Sequence, residues 1–220
     1  MTAYIQSRFQ AHMTMTALDC VTKYTDPREY ELILMSDSEK YPVRDDYHVL
    51  KIDTYMKTEG LSYTQSMNRG AALSKGDHLV FIQNDVFVRE DWLLGLRQYL
   101  EKGYDAVFPD QVPRDRKYIL DSYKRDPFDP EAMKGGRDAG LIMMTREAFN
   151  KTGGWDEDLT LLAERDFYDR MGNAGLNWTD TNKVQITHIM AATNLNRLDE
   201  KPDEYNKMMT KDAEKLNAQN

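Results

Sequence analysis

The sequence predicts an α/β fold with a mostly parallel central sheet and helices on both faces. Short apolar runs typical of buried strands alternate along the chain with amphipathic segments at helical spacing. Three of these runs end at or beside acidic residues or a histidine, where open α/β sheets bind their ligands. The 220 residues show no internal repeat and no linker-like change of composition. We therefore predict one domain over residues 1–190 and a C-terminal helical tail over residues 191–220.

The first half of the chain begins a strand–helix alternation. Its strands are predicted from β-branched and aromatic residues, and its helices from apolar residues on one face. Asp26-Pro27 ends the first helix and Gly76 ends the second. The predicted strands are residues 3–6, 30–35, 47–52 and 78–82, and the predicted helices are 14–23 and 61–74.

The second half continues the alternation after a long interruption. Residues 109–136 contain four prolines and many charges, so we predict a surface excursion of the kind that often forms a lid or a binding loop. The predicted helices are residues 91–101, 146–151, 163–174 and 203–216, and the predicted strands are 106–108, 141–144 and 184–189.

Composition limits the classes of partner. Lys+Arg 29 against Asp+Glu 37 gives a net charge of −8, which disfavours non-specific binding to nucleic acid or anionic lipid. Residues 114–125 are a local exception, because basic side chains there interleave with tyrosines; a solvated loop and a binding surface both stay open. No apolar run is long enough to cross a bilayer, and we see no signal peptide. With a single cysteine, Cys20, we expect a cytoplasmic protein without membrane insertion.

The stretch Gln83-Asn84-Asp85 directly follows the predicted strand 78–82. A carboxylate at a strand end can hold a divalent metal or a charged substrate, and it can equally well cap a turn. Asp37 follows the strand 30–35, and His188 lies at the end of the last predicted strand. We expect Asp37, Asp85 and His188 to share one cleft.

Six stretches together carry a resemblance to a known family. In chain order they are residues 30–38, 68–77, 83–85, 139–149, 153–157 and 163–166. The chain resembles the inverting nucleotide-sugar glycosyltransferases of family two, which have the GT-A fold. Residues 83–85 stand at the place of the D-x-D motif, and Gly153-Gly154-Trp155-Asp156-Glu157 is similar to the G-G-[FW]-D-E turn of that family.

The resemblance implies an enzyme that moves a sugar from a nucleotide-diphosphate sugar to a hydroxyl acceptor with inversion, using Mn²⁺ or Mg²⁺. It favours a UDP-sugar donor and a saccharide acceptor, with a modified nucleic-acid base as the alternative. The site residues that it implies are Ser7, Asp37, Asn84 and Asp85 for the donor, Asp85 and His188 for the metal, Trp155 and Gly140 for the acceptor, and Glu164 and Asp166 for catalysis.

Two departures from the family pattern leave alternatives open. Gln83 replaces the first Asp of D-x-D, which favours a rival interpretation, a non-catalytic binding module with the same fold. Glu164 stands where the family usually has its catalytic Asp, so either Glu164 or Asp166 could be the base. A Glu with its ordinary pKa of about 4.3 is ionised at neutral pH and can act as one. Both carboxylates could also merely complement a helix dipole, and Trp155 could be a core residue.

Overall fold

The computed structural model describes residues 2–5, 11–36, 52–112, 140–188 and 201–219. Its eight strands form one sheet in the order β3-β2-β1-β4-β7-β6-β8-β5. The strands are β1 Thr2–Ile5, β2 Ile33–Ser36, β3 Thr54–Lys57, β4 His78–Gln83, β5 Val86–Phe87, β6 Ala106–Val112, β7 Leu141–Thr145 and β8 Trp178–His188.

One half of the sheet is parallel and the other half is mixed. Strands β3, β2, β1 and β4 run parallel to their neighbours. Strand β7 is antiparallel to both β4 and β6, β6 and β8 are parallel, and β5 is antiparallel to β8. Strands β4, β6 and β8 consequently run in the same direction, so their carboxyl ends meet at one edge of the sheet, beside the start of β7.

Helices cover both faces of the sheet, as the sequence predicts. Helices α1 and α3 pack on one face through residues such as Leu18 and Leu96. Helices α2, α4 and α5 pack on the other, for example through Met67, Phe149 and Phe167, and the last helix, α6, adds Leu216 there. The helices are α1 Ala11–Tyr24, α2 Tyr63–Leu73, α3 Trp92–Glu101, α4 Arg146–Thr152, α5 Ala163–Asn173 and α6 Pro202–Gln219. Of the described helices, none combines the length and the apolar character needed to cross a bilayer.

Helix α2 is fixed at both ends by side chains. At its start the Ser62 hydroxyl accepts a hydrogen bond from the backbone N–H of Gln65, and the Gln65 side chain accepts one from the N–H of Ser62. At its end the Arg146 guanidinium donates to the carbonyls of Ala71, Ser74 and Gly76. These bonds satisfy terminal groups that a helix leaves open, and so they hold α2 against the sheet.

The boundaries differ most from the sequence prediction in three strands. The third strand is Thr54–Lys57, whereas most of the predicted strand 47–52 lies outside the described residues. Strand β6 extends to Val112, so the first residues of the predicted excursion 109–136 are strand; residues 113–139 lie outside the described part. Strand β8 begins at Trp178, because its polar first half pairs with β6 across a register shift at Pro109 and Asp110.

Candidate active site

Asp85 and His188 meet at the edge where β4 and β8 end. Val86 pairs with His188 between β5 and β8, which brings the neighbouring Asp85 to the histidine. The two residues are 4% and 1% exposed. The Oδ1 atom of Asp85 lies 3.2 Å from Nε2 of His188, yet within the described residues Oδ1 accepts no hydrogen bond. The expected proximity of Asp85 and His188 is thus observed, whereas their role stays a prediction.

Gln111 and Gly140 set the orientation of the His188 ring. The Gln111 Oε1 atom is 2.9 Å from Nδ1 of His188. Because an amide oxygen can only accept, this contact calls for a proton on Nδ1, and the other ring nitrogen, Nε2, faces Oδ1 of Asp85. A Cβ atom at Gly140 would stand 2.6 Å from Nδ1, so only glycine leaves room for the ring.

This arrangement fits a divalent cation. Two electron-rich atoms that face each other in a buried place are unfavourable unless a proton or a cation lies between them. Two neighbouring ligands of an octahedral cation lie about 3 Å apart, close to the observed separation. One nitrogen and one oxygen suit Mn²⁺ better than Mg²⁺, which prefers oxygen. Among the described residues no cluster of three or more His, Cys, Asp or Glu side chains could hold a metal ion, and the Asp85–His188 pair offers two ligand atoms.

Glu164 lies beside this edge, in the first turn of α5. Its Oε1 atom accepts a hydrogen bond of 2.7 Å from Nε2 of Gln83. Gln83 is the last residue of β4 and precedes Asp85 by two positions, so Glu164 and the Asp85–His188 pair border the same strand end. A carboxylate at position 83 would face Glu164 with like charge, whereas an amide donates to it. The departure from D-x-D thus has a physical reason.

Asp166 occupies a different environment from Glu164. It is 3% exposed, and its Oδ2 atom accepts from Nε and Nη2 of Arg170 at 2.8 and 2.6 Å. The Nη1 atom of Arg170 in turn donates to the carbonyls of Thr152 and Gly154. The carboxylate of Asp166 is therefore part of a buried ion pair that ties α5 to the end of α4.

Two of the motifs behind the resemblance form one structural unit. The Oδ1 atom of Asn68 accepts from the N–H of Trp155 at 2.8 Å, and Nδ2 donates to the Trp155 carbonyl and to Glu157, both at 2.9 Å. Gly154 has φ +75, and a Cβ there would stand 2.8 Å from Oδ1 of Asn68. The motifs at 68–77 and 153–157 therefore fix the turn that leads toward α5.

Trp155 packs in the core and does not face the cleft. Its side chain is 2% exposed and stacks on Phe167 with 4.3 Å between ring centroids and an interplanar angle of 12°. Tyr63 and Phe81 contact it edge-on. An acceptor-binding role would need an exposed ring face, and this arrangement presents none. The sequence analysis offered two roles for Trp155, acceptor binding and core packing. The buried ring is consistent with core packing and not with acceptor binding.

The remaining predicted site residues divide into two groups. Gly140 lies beside His188, and Asn84, 6% exposed, is 3.4 Å from the Thr14 hydroxyl of α1, to which its Nδ2 donates. Ser7 and Asp37 lie outside the described residues, and so does the basic stretch 114–125. That Asp37 shares a cleft with Asp85 and His188 accordingly stays a prediction.

Gln111 is a site residue that the sequence analysis missed. The prediction ended β6 at residue 108, because Pro109 and Asp110 break the apolar run. The register shift at these two residues lets the strand continue and bring Gln111 level with Ile186, two residues before His188. The only signal in the sequence was the apolar Val112 beyond the break.

Comparisons with known proteins bear on the family and the fold. Residues 10–164 match the family model described as glycosyl transferase family 2. No curated protein sequence matches the chain. Three solved structures resemble it at identities that show the fold alone.

The first is mannosyltransferase PcManGT from Pyrobaculum calidifontis in complex with GDP-Man and Mn²⁺, with TM-score 0.64, 17% identity, and 86% of this chain and 56% of that chain covered. The second is GalNAc-T7 with UDP, GalNAc and Mn²⁺, with TM-score 0.61, 18% identity, and 85% and 42% covered. The third is S. aureus TarS 1–349, with TM-score 0.62, 9% identity, and 90% and 63% covered. The fold is therefore GT-A, and the chain spans less than two thirds of each of these structures.

Proposed function

Since the chain belongs to glycosyl transferase family 2, we propose that it transfers a sugar from a nucleotide-diphosphate sugar to a hydroxyl acceptor, with inversion and with a divalent cation. The observation that carries this proposal is the hydrogen bond between Gln83 and Glu164. It holds a candidate base at the strand end that also carries Asp85. A metal-binding pair and a base on one edge of the sheet are the two parts that this chemistry requires.

Asp85 and His188 form the donor side of the proposed site. They would hold Mn²⁺, and Gln111 would keep the histidine in the tautomer that binds metal. A cation bound there neutralises the charge that develops on the nucleotide diphosphate as the sugar leaves. Asn84 joins this edge to α1 through the Thr14 hydroxyl. Asn84, Ser7 and Asp37 are proposed to contact the nucleotide.

Glu164 is the proposed base. Its carboxylate is half-buried and is held at one oxygen by Gln83, so it can accept the proton of an acceptor hydroxyl as the oxygen attacks the sugar carbon. Asp166 is the weaker candidate, because its carboxylate is buried against Arg170. Attack from the side opposite the leaving nucleotide gives inversion.

The donor and the acceptor are proposed by chemical class only. PcManGT is described with GDP-Man and GalNAc-T7 with UDP; we propose a UDP-sugar as donor and a saccharide as acceptor for this chain. A nucleic-acid acceptor would depend on the basic residues 114–125.

A donor screen tests the proposed function. The protein is incubated with UDP-glucose, UDP-GalNAc or GDP-mannose, with Mn²⁺ or with EDTA, and release of the nucleoside diphosphate is measured. We expect release with at least one donor, dependent on Mn²⁺. A bound donor also raises the melting temperature, because a ligand at a hundredfold excess over Kd stabilises the folded state by about 2.7 kcal/mol.

The second candidate function, a non-catalytic nucleotide-sugar-binding module, is favoured by the amide at position 83. The same screen separates the two. Stabilisation by a donor without any release of diphosphate supports the binding module. Neither stabilisation nor release with any donor contradicts both.

A further inference from the structure

The last helix, α6, contacts the segment from which the helix bearing Glu164 begins. Asp212 lies in the middle of α6 and is 1% exposed. Its Oδ2 atom accepts hydrogen bonds from three consecutive backbone N–H groups, those of Thr160 at 2.9 Å, Leu161 at 2.6 Å and Leu162 at 3.0 Å. A single carboxylate oxygen therefore fixes the backbone just before α5.

Helix α5 has no cap of its own. The residue at its N-cap position is Leu162, whose apolar side chain cannot accept a hydrogen bond. The amide groups at a helix start need acceptors, and a negative charge there is favourable to the helix dipole. Asp212 supplies the negative charge from another part of the chain, and its Oδ2 atom accepts from one of these amide groups, that of Leu162, and from the two that precede it. Glu164 follows Leu162 by two residues, within the turn that this contact supports.

A second side chain of α6, Lys215, contacts the residues just before this segment. The Lys215 ammonium is 2.6 Å from Oδ1 of Asp156 and 2.9 Å from Oδ2 of Asp158. Although burial opposes the charged form, the hydrogen bonds to these two carboxylates outweigh it and raise the pKa of Lys215. Asp212 and Lys215 are three positions apart, so they lie on one face of α6 and hold residues 156–162 together.

We propose that Asp212 is a positioning residue for the proposed base: through the backbone of residues 160–162 it sets where the first turn of α5 presents Glu164. The inference rests on the proposed function of Glu164. Asp212 touches neither Gln83 nor the Asp85–His188 pair in the described contacts, so it acts on the base and leaves the metal-binding edge alone. Misplacement of a reacting group by about 1 Å can cost about a hundredfold in rate.

The kinetic test uses the full chain and the fastest-cleaved of UDP-glucose, UDP-GalNAc and GDP-mannose, with Mn²⁺. Asp212→Ala should lower kcat by about 10–100-fold and leave KM for the donor unchanged. Asp212→Asn keeps one acceptor oxygen and should fall in between; it also replaces the alanine variant should that fail to fold. The matched control is Asp203→Asn, an exposed residue in the first turn of α6, which should leave kcat unchanged.

A double-mutant cycle tells positioning from a general loss of structure. If Asp212 acts through Glu164, its substitution should change kcat by less than about threefold in a Glu164→Gln background. An equal loss in both backgrounds, or no loss in the wild-type background, overturns the proposal. If Glu164→Gln alone leaves the rate unchanged, the proposed base fails and the positioning role falls with it. If only Asp212 substitutions are silent, the proposed function stands and the positioning role is overturned.

Hydrogen exchange gives a readout that needs no activity. The amides of Thr160, Leu161 and Leu162 should exchange faster in Asp212→Asn than in Asp203→Asn, because the buried carboxylate protects them. Equal exchange rates at these amides in the two variants would also overturn the proposal.

Discussion

The proposed metal-binding pair and the proposed base border the same edge of the sheet, but the chain holds them in different ways. Asp85 and His188 are buried and follow directly from the ends of strands, so the sheet itself fixes them. Glu164 is half-buried and stands on a helix whose start is held by a side chain from a distant helix, Asp212. Strand pairing brings the first group together, and Gln111 and Gly140 then orient the His188 ring. The second group depends on contacts from other elements of the chain, among them Asp212.

This difference teaches where each half of the site is sensitive to substitution. Changes around the pair should act on metal and donor affinity, because they alter what the cation meets. Changes around α5 should act on turnover, because they alter where the base stands. Each prediction that follows tests one side of that division.

The largest expected effect is on turnover. Glu164→Gln should lower the rate by about 10²–10⁴-fold, because it removes the base while keeping the shape of the side chain. The matched control is Glu147→Gln, since Glu147 occupies the first turn of α4 and is exposed. Diphosphate release and melting temperature are measured for both variants. Equal activity of the two would remove Glu164 from the mechanism.

Asp166→Asn should act mainly on stability. It breaks the ion pair with Arg170, at a cost of about 2–3 kcal/mol in the free energy of unfolding. Asp169→Asn, an exposed residue of the same helix, is the control and should be nearly neutral. Urea unfolding gives the difference. A stable Asp166→Asn protein that has lost turnover would transfer the role of base from Glu164 to Asp166.

Gly140→Ala should act on the metal side. The added Cβ would stand 2.6 Å from Nδ1 of His188 and must displace the ring. Disturbed support of a metal ligand typically costs about 10–100-fold in affinity, and we expect this for Mn²⁺. Gly172→Ala, where a Cβ meets nothing within 4 Å, is the control. Unchanged Mn²⁺ affinity in Gly140→Ala would mean that His188 is not a ligand.

The smallest effect is expected at Gln83. Gln83→Glu removes the donor that holds Glu164 and adds like charge, which should slow turnover by roughly fivefold, equivalent to about 1 kcal/mol. Gln98→Glu, exposed on α3, is the control. If Gln83 were instead a weakened metal ligand, the new carboxylate would tighten Mn²⁺ binding and speed turnover, contrary to this account.

The sequence predicted the parts of the fold and the site that follow from local pattern. Buried strands such as β4 and β7 are apparent from their apolar runs and helix α3 from its amphipathic pattern. The strand ends also predicted that Asp85 and His188 lie close together, as they do. Gln111 and Asp212 could not be found in this way. One depends on a register shift within β6, and the other on the docking of a helix whose sequence looks merely exposed and charged.

The sequence also could not decide between Glu164 and Asp166 as the base. They are two residues apart in a helix first turn and are equivalent in the sequence pattern. Only the partners differ. Arg170 follows Asp166 by four residues, a spacing that the sequence shows, whereas Gln83 reaches Glu164 from a strand 81 residues away, a tertiary contact that no local pattern shows.

The most direct test of the account is calorimetric titration of UDP and GDP into the protein in Mn²⁺ and in EDTA. We expect one nucleotide to bind only with Mn²⁺, and Asp85→Ala to weaken that binding by at least about a hundredfold. Asp77→Ala, which alters an exposed carboxylate at the opposite end of β4, should bind as the wild type does. Equal affinity in EDTA, or in Asp85→Ala, would contradict a metal-dependent donor site at the edge where β4 and β8 end.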